Sequence, residues 1–332
     1  MTERKTDHIN LAGKSAPASV LADQRFNYEP LLAAHPVEGS CMEFLGKKVN
    51  HPLWISSMTG GAIGTGKINH LLAEASAEFG LGMGLGSCRS LLRSDEFLAD
   101  FNLRPILGPD LPFFANIGIA QLEELVLKGE EERIHEMVSH KLMADGIIIH
   151  VNPVQEWLQP EGDLFIISPL ETISRFISSV NQYYKIIVKE VGQGMGPESL
   201  KKLLELNIDA IEFGAFGGTN FANIEIARNQ HNHIPFMSPL GTVGHSPLEM
   251  LDTLNDIVFD HKVHCQNVII SGGVKNFIDG YYYTQKSMLP AVYGMAYTLL
   301  KHALVSKEEL FNFIKAEVEG YKFAKSFLQI RE

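Results

Sequence analysis

Cysteine is scarce, with three residues in 332, at positions 41, 88 and 265, and no C-x-x-C pair. Their odd number and wide spacing exclude a disulfide framework and argue against a thiolate zinc centre, the usage expected of a cytoplasmic protein. Long apolar runs are missing too. None approaches the roughly 18 residues of a membrane-spanning helix, and the opening stretch "MTERKTDHIN" is charged without an apolar core, so neither membrane insertion nor secretion is expected. Positive charge is in deficit, 28 lysines and arginines against 39 acids, for a net charge of −11. This excludes broad binding to nucleic acid or anionic lipid, while local positive pockets remain available from Arg4, Lys5, Arg89 and Arg93. Repeats, low-complexity tracts and linkers are also absent, so nothing divides the chain.

What is present is a chain with 45% hydrophobic residues, enough for a substantial core. From about residue 52, short apolar runs alternate with longer amphipathic ones, the pattern of strand followed by helix in a parallel α/β fold. Eight strands are predicted: 52–58, 81–87, 111–118, 145–151, 184–191, 208–214, 266–273 and 289–296. Each is nearly continuous in apolar residues, as a strand covered on both faces requires. Gln121–Met143 is predicted helical, with Ile134, Met137, Val138 and Lys141/Leu142 on one stripe. Eight such units fit a closed (β/α)₈ TIM barrel over residues 51–332, preceded by a mixed N-terminal extension at 1–50.

Barrel chemistry sits at the carboxyl ends of the strands, and here nearly every apolar run stops on polar or glycine residues. The fourth runs "DGIIIH" directly into "HVNPVQEWLQPEGD", which crowds His150, Asn152, Gln155, Glu156 and Asp163 around two prolines and a tryptophan. "SGGVK" and "YGMA" after the seventh and eighth runs offer backbone N–H groups with little side-chain obstruction, a common phosphate cradle in barrels.

Taken together, "RKTDHI" (4–9), "SSMTGG" (56–61), "MGLGSCR" (83–89), "ANIG" (115–118), "HVNPVQE" (150–156), "VKEVGQG" (188–194), "GGTNF" (217–221) and "SGGVKN" (271–276) resemble the successive signatures of type 2 isopentenyl-diphosphate Δ-isomerase. Members of this family are barrels that use reduced FMN and Mg²⁺, with NADPH as reductant. The resemblance implies FMN contacts at Ser57, Met58, Thr59, Ser87, Asn116, Lys189, Thr219, Gly273, Val274, Lys275, Ala296 and Tyr297. It implies diphosphate-substrate contacts at Arg4, Lys5, Ser87, Cys88, Arg89, His150, Asn152 and Gln155, with His150, Asn152 and Gln155 beside the reacting carbons and Glu156 as the Mg²⁺ ligand. It also implies a homo-oligomer, a tetramer or octamer. The chemistry of the residues agrees: a diphosphate calls for cationic donors, and Mg²⁺ commonly takes one or two carboxylates together with substrate oxygens and water. The chain departs from the family where "GGTNF" replaces the common "GGTSW", where "PLGTVGHSPLEM" replaces a "WGIPT"-like turn, and at Lys275, where arginine is common.

The expected reaction is the interconversion of isopentenyl and dimethylallyl diphosphate by addition and removal of a proton, without net redox change. An electron-rich flavin would stabilise the carbocation-like carbon; by the resemblance, its N5 carries the proton with help from Gln155. The competing reading is an FMN-dependent 2-hydroxy-acid oxidase, which needs a histidine base and arginine clamps near the later strand ends. "FGAFGGTNF" at 213–221 supplies neither. A barrel that binds flavin without catalysis would fit the loss of Arg4, Gln155 or Glu156, and all three are present. Elsewhere Glu190 and Asp209 read as ordinary strand-end charges, the tyrosines at 281–283 as packing, and Glu130–Glu132 as a solvated helix face. His8 is open between a substrate contact and a local cap or ion pair with Asp7.

Overall fold

A computed structural model of the chain describes residues 2–15, 17–36, 41–57, 64–180, 183–229, 231 and 233–331. Twelve strands occur among them: β1 (Phe26–Tyr28), β2 (Met42–Phe44), β3 (Lys47–Val49), β4 (Leu53–Ile55), β5 (Gly82–Gly84), β6 (Phe113–Gly118), β7 (Gly146–Val151), β8 (Lys185–Glu190), β9 (Ala210–Glu212), β10 (Asn267–Ser271), β11 (Ala291–Met295) and β12 (Leu328–Ile330). Strands β4 to β11 form a closed barrel in which all neighbours are parallel, and Tyr293↔Leu53 to Met295↔Ile55 close the ring. One barrel strand falls inside each of the eight apolar runs.

The strands are short because a buried parallel strand needs cover on both sides. Outside, helices such as Thr65–Phe79, Ile119–Lys128, Pro169–Ser179 and Lys307–Phe327 pack their apolar stripes on the barrel. Inside, Trp54, Phe114, Ile148, Ile187, Ala210, Ile269 and Val292, from seven of the eight strands, make one apolar cluster. The eighth strand, β5, contributes Gly82, where a Cβ would stand 2.3 Å from the Trp54 ring. Glycine is what lets the indole lie across the barrel.

The residues before β4 complete the bottom of this core. The β2–β3 hairpin inserts Phe44, Leu45 and Val49 into the same cluster, with Phe44 edge-on to Trp54 at 6.0 Å. Its two-residue turn has φ 52° at Leu45 and φ 73° at Gly46, the left-handed pair that matches strand twist. Leucine is strained there by about 1 kcal/mol, and burial of its side chain offsets the strain. Strand β1 pairs antiparallel with β12, joining the early chain to its far end, and Phe26 packs against Tyr281 and Tyr282. These contacts bear out packing as the role of those tyrosines.

The predicted helix at 121–143 is interrupted. Gly129, at φ 67°, ends Ile119–Lys128 by donating its N–H to Leu125 and Val126. A short helix Glu132–His135 and a π-type turn Glu136–Lys141 follow. Ile134, Met137, Val138 and Leu142 are nonetheless all buried, so the apolar stripe was sound and only its continuity was not. Glu190 also differs from expectation. It is buried and accepts from the N–H groups of Gly192, Gln193 and Gly194 at 2.7, 2.6 and 3.0 Å, so it shapes the loop after β8, although burial still raises its pKa.

One buried carboxyl makes stability depend on pH. Glu317, on helix Lys307–Phe327, receives the Tyr293 hydroxyl at 3.4 Å, and burial pushes its pKa up from 4.5 to about 7, with Asp279 adding to the rise. Unfolded, it ionises near 4.5; folded, it holds its proton to about 7. Its contribution is therefore fully present below 4.5, declines as pH rises through that window and is gone above about 7. Glu317→Gln should match the parent near pH 4.5 and exceed it at pH 8 by up to about 3 kcal/mol. Urea melts of both proteins at the two pH values check this, and equal differences at both would contradict it.

Candidate active site

Side chains alternate along a strand, so the residue two positions beyond an inward apolar side chain also faces inward. Ile148 is followed in this way by His150, Ile187 by Lys189, Ala210 by Glu212, Ile269 by Ser271, Phe114 by Asn116 and Trp54 by Ser56. The barrel interior thus changes from an apolar floor to a polar layer at the carboxyl mouth. Two cavities open there, of about 820 and 680 Å³, within the range of small-molecule sites.

The first cavity is lined by Ser87, Arg89, Arg93, His150, Asn152, Gln155 and Glu156 among others. Asn152 precedes helix Pro153–Leu158, whose first position is held by Pro153. Gln155 and Glu156 are three and four residues on, the spacing that brings side chains to one face of a helical turn. The Asn152 Nδ2 group accordingly donates to Gln155 Oε1 at 3.0 Å and Glu156 Oε1 at 2.9 Å. Glu156 Oε2 accepts the backbone N–H of Asp163 at 2.8 Å. A single amide therefore fixes both the neutral and the acidic group on the cavity wall.

His150 stands beside them. Its Nδ1 is 2.7 Å from Asn116 Oδ1, which places the proton on Nδ1 and leaves a lone pair on Nε2. Burial, reinforced by Lys189 and Arg89, pushes its pKa down to about 3, so the ring is neutral at physiological pH. It can accept a hydrogen bond but cannot act as an imidazolium acid.

The second cavity is lined by Ser56, Ser57, Lys189, Glu212, Gly217–Phe221, Ser271–Lys275 and Gly294–Thr298. Gly272 has φ 82°, and a Cβ there would lie 2.1 Å from the Ala215 carbonyl. The loops after β9 and β10 consequently meet backbone to backbone. Polar groups converge on the cavity without partners: both carboxyl oxygens of Glu212 and the hydroxyls of Ser56 and Ser57 are buried and hydrogen-bonded to nothing among the described residues. A buried carboxyl left in that state is costly, which points to a ligand that completes it.

The structure gathers most of the expected residues on this mouth. Ser87, Arg89, His150, Asn152, Gln155 and Glu156 line the first cavity; Ser57, Lys189, Thr219, Gly273, Val274, Lys275, Ala296 and Tyr297 line the second. Asn116 supports His150 and lines neither. Cys88 departs from its expected place facing the substrate. Its side chain is fully buried in the core with the thiol on the Gly86 carbonyl at 3.3 Å, and burial pushes its pKa up to about 12. Arg4 and Lys5 are exposed on helix Thr2–Ala12 and line neither cavity. Met58 and Thr59 lie outside the described residues.

Two acids were missed in the sequence. Glu212 could have been found from the inward alternation of "IDAIEFG". Glu225, on helix Phe221–Arg228, is buried and receives Gln159 at 2.9 Å, Gln155 at 3.4 Å and Arg228 at 2.8 Å. An acid amid the apolar residues of "NIEIA" was its only signal.

The chain is 31% identical over 328 residues to an isopentenyl-diphosphate delta-isomerase of Rickettsia felis, covering 96% of this chain and 90% of the relative. It is 34% identical over 290 residues to the enzyme of that name from Ignicoccus hospitalis, covering 85% and 76%. No protein-family model matches it. Among solved structures it resembles a flavocytochrome b2 variant with sulfite bound, at a TM-score of 0.61 and 12% identity over 90% of this chain and 71% of that one. A mandelate oxidase variant carrying an FMN adduct gives 0.56 at 11% identity over 93% and 88%. Those likenesses concern the barrel fold, whereas the sequence identities extend along almost the whole chain: it belongs to the isopentenyl-diphosphate Δ-isomerase family, type 2.

Proposed function

We propose that this protein interconverts isopentenyl and dimethylallyl diphosphate with FMN in the second cavity and the substrate, as its Mg²⁺ complex, in the first. The observation that carries the reading is the Asn152 clamp, which holds one amide and one carboxylate side by side next to a neutral histidine. The second cavity suits a flavin, because its unpartnered acceptors and hydroxyls match a polar ring edge and a sugar alcohol. Its glycine-lined rim at 272–273 and the nearby Lys275 suit a phosphate.

Arg89 and Arg93 supply positive charge to the diphosphate end of the first cavity. Glu156 already accepts one hydrogen bond on each oxygen, which fixes its orientation and leaves a lone pair for a cation. No group of three or more metal-binding side chains exists among the described residues, so Mg²⁺ is read as arriving with the substrate's oxygens. Gln155, oriented by Asn152 on its oxygen and by Glu225 on its nitrogen, presents an amide that relays a proton at the reacting carbons without itself being a strong base. His150, neutral, offers the Nε2 lone pair as an acceptor and adds no cationic charge beside a carbocation-like carbon. When bound, reduced FMN supplies an electron-rich face and a proton position at N5.

The remaining parts of the reading are NADPH as reductant, a homo-oligomer (tetramer or octamer) and a cytoplasmic location. No helix among the described residues is long and apolar enough to cross a membrane. Residues 1–50 act as an extension whose Arg4 and Lys5 reach a diphosphate in the same or a neighbouring subunit, a role supported by the exposure of both residues on helix Thr2–Ala12. A 2-hydroxy-acid oxidase is disfavoured, since among the described residues neither cavity is lined by a histidine paired with an arginine at the ends of β9 and β10.

Glu156→Gln should retain FMN and its fold but lose activity by more than about 100-fold, since loss of a metal ligand should exceed the effect of losing its outer-shell partners. Unchanged turnover and Mg²⁺ dependence would remove Glu156 from the metal site. Deletion of residues 1–8 should raise substrate KM strongly and leave FMN affinity untouched, whereas an unaltered KM would exclude Arg4 and Lys5. The reaction class is tested by anaerobic turnover. Oxidised enzyme should be nearly inactive, NADPH or chemical reduction should switch it on with many products per reductant, and the new methyl group should gain deuterium from D₂O. Activity of oxidised flavin with one acceptor reduced per turnover would establish an oxidase instead.

A further inference from the structure

We infer that Glu212 is a direct cofactor contact, its buried carboxyl group accepting hydrogen bonds from hydroxyl or ring N–H donors of the flavin beside Lys189. The inference rests on the reading that the second cavity holds FMN. Glu212 closes β9 and is 1% exposed, and neither of its oxygens has a partner among the described residues. Its Cα is paired in register with that of Lys189 on β8, yet no hydrogen bond joins the two side chains. Both line the same cavity. An ordinary buried ion pair would have brought them together, so each is left available to something between or above them.

The neighbours narrow what that something offers. Ser56 and Ser57 bring two more buried hydroxyls without partners among the described residues, while Gly272, Gly273 and Lys275 follow Ile269, the register partner of Glu212 on β10, by three to six residues and so stand further out along that strand and its loop. A carboxyl group repels a phosphate and attracts donors. The cavity is therefore polarised, with the phosphate on the rim and the donor-bearing ring or sugar alcohol over Glu212. A flavin has this layout, anionic at one end and rich in hydroxyl and N–H donors at the other. Glu212 would also temper Lys189, because negative charge near the ring disfavours the electron-rich reduced state that a nearby ammonium favours.

The test compares apoprotein and FMN-loaded forms of the wild type, Glu212→Gln and Glu212→Asp. FMN dissociation constants, flavin midpoint potentials and urea stability of the apoproteins are read together. The Gln variant should fold with apoprotein stability equal to or above the parent, bind FMN about 10- to 100-fold more weakly, and show a more positive midpoint potential. The Asp variant should keep the parent's potential more closely while losing affinity, because its charge remains but its reach is shorter. A purely structural role would lower apoprotein stability and leave the potential in place. A Gln variant that fails to fold, or one that matches the wild type in affinity and potential, overturns the assignment. A wild-type apoprotein that takes up no FMN overturns the cofactor reading and this assignment with it.

Discussion

The active site depends on one constraint, the two-residue period of strands that are buried on both faces. In a closed parallel barrel the outer row of each strand is committed to helices, so the inner row alone can carry chemistry. Here that row is divided along its length. Trp54, Phe114, Ile148, Ile187, Ile269 and Val292 fill the floor, and the β2–β3 hairpin seals it from below. Water is thereby excluded from beneath the polar layer, which is why Lys189, Glu212 and Ser271 are buried although they stand at a strand's end. The apolar floor lowers the local dielectric, and electrostatic interactions in the layer above are strengthened accordingly.

His150 shows the consequence. In water an imidazole would be partly protonated near neutral pH; enclosed between Lys189, Arg89 and the apolar floor it is neutral, and Asn116 fixes which nitrogen holds the proton. Asn116, two residues before the end of β6, and His150, one before the end of β7, meet because Gly118↔His150 and Asn116↔Ile148 are in register. Strand pairing thus determines a tautomer. Asn152 performs the equivalent task through a helix turn, where the three- and four-residue spacing does what register does in the sheet.

These two periodicities explain what could be read in advance. The eight strands were legible because each is a short apolar run, and the strand-end residues because polar side chains stop those runs. Met137 and Val138 were correctly placed on a buried stripe, but the break at Gly129 was missed, since periodicity continues across a glycine that changes the chain's direction. Cys88 was misplaced for a related reason. It sits between Ser87 and Arg89, both on the cavity wall, and adjacency in sequence concealed that its own side chain turns into the core. Glu225 was invisible because its partners, Gln155 and Gln159, are about seventy residues away, brought near only by the packing of helix Phe221–Arg228 against helix Pro153–Leu158.

Buried polar groups in this mouth fall into two classes that a sequence does not separate. Asn152 Nδ2, His150 Nδ1 and Glu190 are satisfied within the protein, so they stiffen the site whether or not anything is bound. Glu212, Ser56 and Ser57 are unsatisfied among the described residues, so the protein carries their desolvation cost until a ligand relieves it. The two classes meet at the first cavity, where Asn152 donates through Nδ2 while its own Oδ1, like the Ser90 hydroxyl, has no partner among the described residues. In the second cavity the satisfied Glu190 lines the same wall as the unpartnered Glu212, Ser56 and Ser57. Fixed orientation and unmet hydrogen-bonding demand are thus combined at both mouths, so binding can relieve a desolvation cost without first reorganising the site.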